Sequence, residues 1–128
     1  MFGLHMSDTS SVQPWEYVPA AAGEYKAGQL LKMDSGMAAA ITAALATTPP
    51  YLCMADIKVA AGDELPVVRV SRNYIYDTVL SADAATAAVG GMLQVAAGGL
   101  KAAPGAGTFE IVQVGGTKAG DAVRGRFV

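Results

Sequence analysis

Hydrophobic and polar positions alternate over short stretches along most of this chain, and turn-forming residues interrupt them every few positions. Gln29 to Met33 reads as a strand, ended by Asp34-Ser35-Gly36, which suits a tight hairpin turn. Met37 to Ile41 is its return strand, although alanine propensity would also allow a helix over Ala38 to Ala46. Thr47-Thr48-Pro49-Pro50 is a loop. Tyr51 to Ala55 is the next strand, Ala61-Gly62-Asp63 a turn, and Leu65 to Val70 a valine-rich strand. Pro66 places that last strand at a sheet edge, or itself near the strand start. Tyr74 to Leu80 carries the β-branched and aromatic run typical of strands. Ser81 offers a cap for one or two helical turns through Ala88, with Gly90 as the stop. Met92 to Val95 and Leu100 to Ala103 flank Gly98-Gly99, and Phe109 to Val114 and Ala122 to Val128 flank Gly115-Gly116 and Gly120-Asp121. The expectation is an all-β fold, a small barrel or sandwich of about eight short strands.

Two stretches echo each other. Tyr51-Leu52-Cys53-Met54 followed by Ala61-Gly62-Asp63 and ending at Val70 lies without gaps on Phe109-Glu110-Ile111-Val112, Ala119-Gly120-Asp121 and Val128. Upstream, Ala27 to Leu31 with Asp34-Ser35-Gly36 resembles Val89 to Leu93 with Ala97-Gly98-Gly99. The identities are few, and Ala/Gly/Val-rich sequence also produces chance matches. An internal duplication is therefore an expectation for the backbone to test, since two such halves would bury faces neither could bury alone.

Residues 1–23 differ from the body at 24–128. They hold a polar run, then Pro14-Trp15-Glu16-Tyr17-Val18-Pro19, in which two prolines bracket an aromatic pair and favour extended backbone. This segment reads as an extended N-terminal arm. Trp15 and Tyr17 either complete the protein's own core, or lie with Pro14, Val18 and Pro19 across a partner, where Trp and Tyr act as anchors and the extended backbone adds to a sheet edge.

The 128 residues suit one domain with one modest core. Much of the apolar fraction of 52% is alanine, with only one Trp, five Tyr and three Phe. Charged residues make up 16%, well below the roughly 25% of an average domain, which leaves a weakly charged surface prone to association. Net charge is −2 and the nine basic residues are scattered, against nucleic-acid binding. The first residues lack a signal-peptide pattern, and Met37 to Ala46 is too short to span a bilayer. The reading is a protein made in the cytoplasm with no membrane partner.

Candidate chemistry is sparse. His5 is the sole histidine and Cys53 the sole cysteine; neither has ligand-spaced neighbours, so no metal, cofactor or catalytic assignment follows. Asp34, Asp56, Asp63 and Asp121 stand singly at turns, where Asp normally bonds local backbone. The glycine-rich pieces at Gly90-Gly91 and 115–120 lack phosphate-loop spacing and read as turns. Leu31-Lys32-Met33 suggests a biotinyl or lipoyl carrier as an alternative, but Lys32 would sit within its strand, off the hairpin apex. A small-ligand barrel and a phage tail component stand as further alternatives.

The order Trp15-Glu16-Tyr17-Val18-Pro19, Glu24 to Leu31, Pro50 to Met54, Val67 to Val70, Ile75 to Thr78, Phe109 to Val112 and Gly120 to Phe127 resembles small decoration proteins encoded beside major capsid genes in tailed phages and prophages. The resemblance implies a non-enzymatic, head-stabilising protein on the capsid exterior of the virion. Its partners would be the major capsid protein and itself, as a homotrimer, and its N-terminal arm would order on the shell.

Overall fold

The computed structural model describes residues 1–7 and 14–128. In chain order its strands are β1 (Gly3–Ser7), β2 (Glu16–Pro19), β3 (Gly23–Tyr25), β4 (Leu30–Asp34), β5 (Met37–Ala40), β6 (Tyr51–Cys53), β7 (Ile57–Val59), β8 (Glu64–Arg69), β9 (Tyr74–Val79), β10 (Met92–Val95), β11 (Ala102–Ala103), β12 (Phe109–Val114) and β13 (Ala122–Phe127). Among the described residues there is no helix, and the fold is all-β. The alanine run from Met37 becomes strand, because β5 closes a hairpin on β4 with Leu31 opposite Ala40 and Asp34 opposite Met37. Ser35 (φ 50°) and Gly36 (φ 80°) form its two-residue turn, the left-handed pair that matches strand twist.

The helical turns expected after Ser81 are not formed. Residues 81–91 run as successive turns, pinned by Ser81 N–H to the Ala102 carbonyl (2.8 Å) and Ala84 N–H to the Thr117 carbonyl (2.7 Å). Tertiary hydrogen bonds outweigh the weak local preference of a short alanine run.

Two sheets make the body. One has the order β2-β8-β6-β4-β5, the other β1-β9-β13-β12-β10-β11, and β3 pairs separately with β7. Stripped of β1, the second sheet repeats the first strand for strand, and the register is the same over the pairs that both share, up to the bulge after Ile111. Tyr51 faces Arg69 and Cys53 faces Val67, as Phe109 faces Phe127 and Ile111 faces Gly125. Leu30 faces Leu52 as Met92 faces Glu110. Glu16 faces Val67 and Pro19 faces Glu64, as Tyr76 faces Gly125 and Val79 faces Ala122.

Irregular features match as well. Parallel bridges Ala20–Ala38 and Leu80–Ala102 curl each sheet until its last hairpin strand meets the end of its first strand. Gly62 (φ 88°) and Gly120 (φ 87°) occupy the same turn, in which Asp63 accepts from Ala60 N–H and Asp121 from Lys118 N–H, both at 3.0 Å. Gly28 N–H meets the Cys53 carbonyl as Gly90 N–H meets that of Ile111. The backbone is an internal duplication of a curled five-stranded unit, with halves at 16–70 and 74–128.

Pro66 lies third in β8, a strand flanked on both sides. Its carbonyl accepts from Met54 N–H at 3.0 Å, so its missing N–H points the same way, toward the side where β6 stops at Cys53. The proline is tolerated because it sits at the end of that ladder, where its carbonyl still accepts and no bond from its nitrogen is needed to carry β6 further.

Two apolar clusters fill the structure. Val67, Leu65, Cys53, Tyr51, Leu31, Ala38 and Ala20 pack together in the first half. Their counterparts Gly125, Val123, Ile111, Phe109, Leu93, Ala102 and Leu80 lie in the second, and all but glycine belong to the larger cluster. That cluster also takes in Phe2, Leu30, Ile41 and Leu52. Leu52 thus packs opposite to Tyr51 and Cys53, which explains why all three residues of β6 are buried. Leu30 N–H to the Gly99 carbonyl (2.8 Å) and Gly98 N–H to that of Ile41 (2.7 Å) join the halves.

The segment read as an arm contributes strands over its described residues. β1 pairs with β9, Gly3 opposite Asp77 and Ser7 opposite Tyr74. β2 pairs with β8, and β3 begins at Gly23. Phe2 is buried against Phe109 (centroids 5.6 Å apart) and Phe127 (6.3 Å).

Candidate binding surface

β2 and β9 hold equivalent places at the starts of the two repeated five-strand units, yet their outer sides differ. The outer edge of β9 is covered by β1, whereas no described strand pairs with the outer edge of β2. Ladder alternation decides which groups face out. Ala20 N–H donates to the Asp63 carbonyl, so Ala20, Val18 and Glu16 turn their backbone groups toward β8. Tyr17 turns its groups away, and Trp15, one residue before β2, is on the same period.

The side chains follow the same two-residue period. Val18 is half-buried and packs against the first-half cluster, while Pro14 and Pro19 are exposed. Trp15 keeps 52% of its surface exposed and Tyr17 62%, so neither completes the protein's core. Trp15 instead borders an apolar cleft of about 190 Å³, lined also by Phe2, Leu4, Leu52, Met54, Val68 and Tyr76. Leu4, itself 52% exposed, brings β1 to the same mouth. The cleft lies below the roughly 300 Å³ from which drug-sized ligands are bound, and matches one apolar side chain better.

Beneath the strands, one three-residue constellation occurs twice with different chemistry. In the second half Phe109, Phe127 and Tyr76 stack, Phe109 and Phe127 at 5.0 Å, Tyr76 and Phe127 at 5.8 Å, and Phe2 covers them. The Tyr76 hydroxyl accepts from Ser71 N–H at 3.3 Å, and burial pushes its pKa up to about 12. At the equivalent places in the first half, the Arg69 guanidinium lies 5.3 Å from the Tyr51 ring centre and 2.9 Å from the Glu16 carboxylate. Arg69 remains half exposed. The charged version faces water, and the aromatic version sits under the N-terminus.

Other singled-out residues have local work. His5 Nδ1 lies 3.2 Å from Asp77, whose other oxygen takes the Arg124 Nε–H at 2.6 Å, and Arg124 reaches Gln113 at 2.8 Å. This polar row crosses β1, β9, β13 and β12 and ties the N-terminal strand to the sheet. Cys53 is buried with its thiol donating to the Ala55 carbonyl, and burial pushes its pKa up. Asp56 accepts from Ala27 N–H and Asp83 from Ala119 N–H, backbone roles like those of Asp63 and Asp121. Lys32 lies within β4 opposite Ala39, off the turn apex at Ser35-Gly36. Among the described residues no group of three or more His, Cys, Asp or Glu is placed to hold a metal ion, and no helix is long and apolar enough to cross a membrane.

Sequence reasoning singled out Trp15 and Tyr17 but missed Phe2 and Leu4, which complete the cleft. The signal was present as the alternation Phe2-Gly3-Leu4-His5-Met6, a two-residue period. Compared with known proteins, the chain matches no family model and no curated sequence.

Proposed function

We propose that this chain is a non-enzymatic assembly protein that binds the outside of a phage capsid and stabilises the mature shell. The observation that supports a binding role is the outer edge of β2, with which no described strand pairs. It carries a half-exposed Trp15 and an exposed Tyr17 beside an apolar cleft, although the fold seals the same edge in its other half. Exposed Trp and Tyr are among the residue types that anchor protein interfaces. The capsid as partner comes from the resemblance of the sequence to phage decoration proteins, and a homotrimer belongs to the same reading.

The mechanism is mass action. A subunit that binds only the expanded lattice adds its binding free energy to that lattice, and repetition over the shell multiplies a modest gain per site. The test is co-sedimentation of purified protein with expanded and unexpanded shells of the major capsid protein encoded beside it. Saturable binding to expanded shells, with raised resistance to heat, is expected. Equal failure to bind both would reject the proposal.

A further inference from the structure

We infer that the β2 edge takes up an extended segment of the partner protein as an added antiparallel strand, with one apolar side chain entering the cleft beside Trp15. The inference rests on the assembly reading above and specifies its geometry.

The internal duplication supplies the template. Equivalent positions on β9 are Ile75 for Trp15 and Asp77 for Tyr17, and both are matched by β1, Ile75 with Met6 and Asp77 with Gly3. A segment as short as β1, five residues, therefore suffices to cover the outward backbone groups of such an edge. On β2 the outward groups are the N–H and C=O of Tyr17, and Trp15, the residue before the strand, falls on the same two-residue period. Pro19 offers no N–H, and Ala20 is already bridged to Ala38, so the accepting stretch is bounded at that end. This gives a short, defined docking strand rather than a long sticky edge.

The cleft sets the chemistry of the incoming strand. Residues directly opposite in an antiparallel pair put their side chains on the same face. The residue across from Trp15 therefore turns toward Leu4, Leu52, Met54 and Val68, and must be apolar. The residue across from Glu16 meets the opposite face, where Glu16 and Arg69 are already paired, and needs no large hydrophobe. This differs from the β9 edge, whose covering strand is preceded by the buried Phe2. A second copy joined through its own β2 fits less well. Pairing Trp15 with Tyr17 of the copy places Glu16 opposite Glu16 on the axis, and like charges directly opposed are destabilising.

The test separates backbone from side chain. Tyr17→Pro deletes an outward N–H while leaving the bonds to β8, and Tyr17→Thr removes the ring but keeps the N–H. Expanded shells of the neighbouring capsid protein serve as probe. At least tenfold weaker binding is expected for Tyr17→Pro and a much smaller loss for Tyr17→Thr. Equal loss in both variants, or none in Tyr17→Pro, would overturn strand addition while leaving shell binding by the unaltered protein intact. Amide exchange on that unaltered protein guards against misfolding of the variant. The Trp15 and Tyr17 amides should exchange fast when free and become protected on shells. Continued fast exchange on saturated shells would overturn the inference. So would protection that rises with protein concentration in the absence of shells, which would make a second copy the occupant.

Discussion

The two halves of this protein share a backbone and differ in what lies beyond it. In the second half, Phe2 and β1 cover the first strand and the aromatic trio beneath it. In the first half, no described strand covers the equivalent strand, and the equivalent trio is Tyr51 with a half-exposed ion pair. The difference teaches that the duplicated unit determines hydrogen-bond register, while the covering segment determines which side chains the unit can carry. A ring at position 69 would be wet, and a guanidinium at position 127 would be buried against Phe2.

The largest expected break in this comparison is at that matched pair. Phe127→Ala should cost about 3–5 kcal/mol, as for other buried rings, whereas Arg69→Ala should leave the denaturant midpoint close to that of the parent protein. Urea unfolding of both variants checks this, and similar midpoints would show that the trios are not differently buried.

Next comes Gly125, which stands where the first half has Val67. A Cβ there would lie 2.6 Å from the Phe109 ring and 2.5 Å from the Glu110 carbonyl. Gly125→Val, the first half's own residue, should therefore cost about 3 kcal/mol through overpacking. A neutral outcome in thermal unfolding would mean that the second half has room for the first half's core.

Tyr76 gives the pH dependence. Its pKa rises from 10.0 to about 12 in the fold, so folding favours the protonated phenol. The contribution is full below pH 10 and is lost as pH rises toward 12, on the order of 2–3 kcal/mol. Stability measured from pH 9 to 12 should fall more steeply in the parent protein than in Tyr76→Phe; parallel curves would contradict the burial of this hydroxyl.

The smallest effect sharpens the equivalence itself. Gly62 and Gly120 share a left-handed φ, and a Cβ at either meets nothing within 4 Å. Gly62→Ala and Gly120→Ala should each cost about 1 kcal/mol, from backbone strain alone. Costs differing by more than about 1 kcal/mol would show that the matched turns are not energetically matched.

Much of this architecture was legible in the residues because hairpin turns and strand alternation are local. Asp34-Ser35-Gly36 and the Ala-Gly-Asp turns declare themselves, and the duplication showed through the shared spacing of Tyr51 to Val70 and Phe109 to Val128. The three-residue strands β3 and β7 were not legible, since three residues cannot establish a period. Ser81 to Ala88 misled because its competing hydrogen bonds come from Ala102 and Thr117, distant in sequence. Trp15 and Tyr17 stood out by composition. That one strand edge would be covered and its twin left without a described partner depends on where Phe2 lands, which pairing across the whole chain decides.

The most direct measurement is residue-resolved amide exchange on the free protein at low concentration. The account predicts that Ile75 and Asp77, beneath β1, are strongly protected, while Trp15 and Tyr17 exchange at close to unprotected rates. Protection of Trp15 and Tyr17 equal to that of Ile75 and Asp77 would contradict it, because the two edges would then be alike.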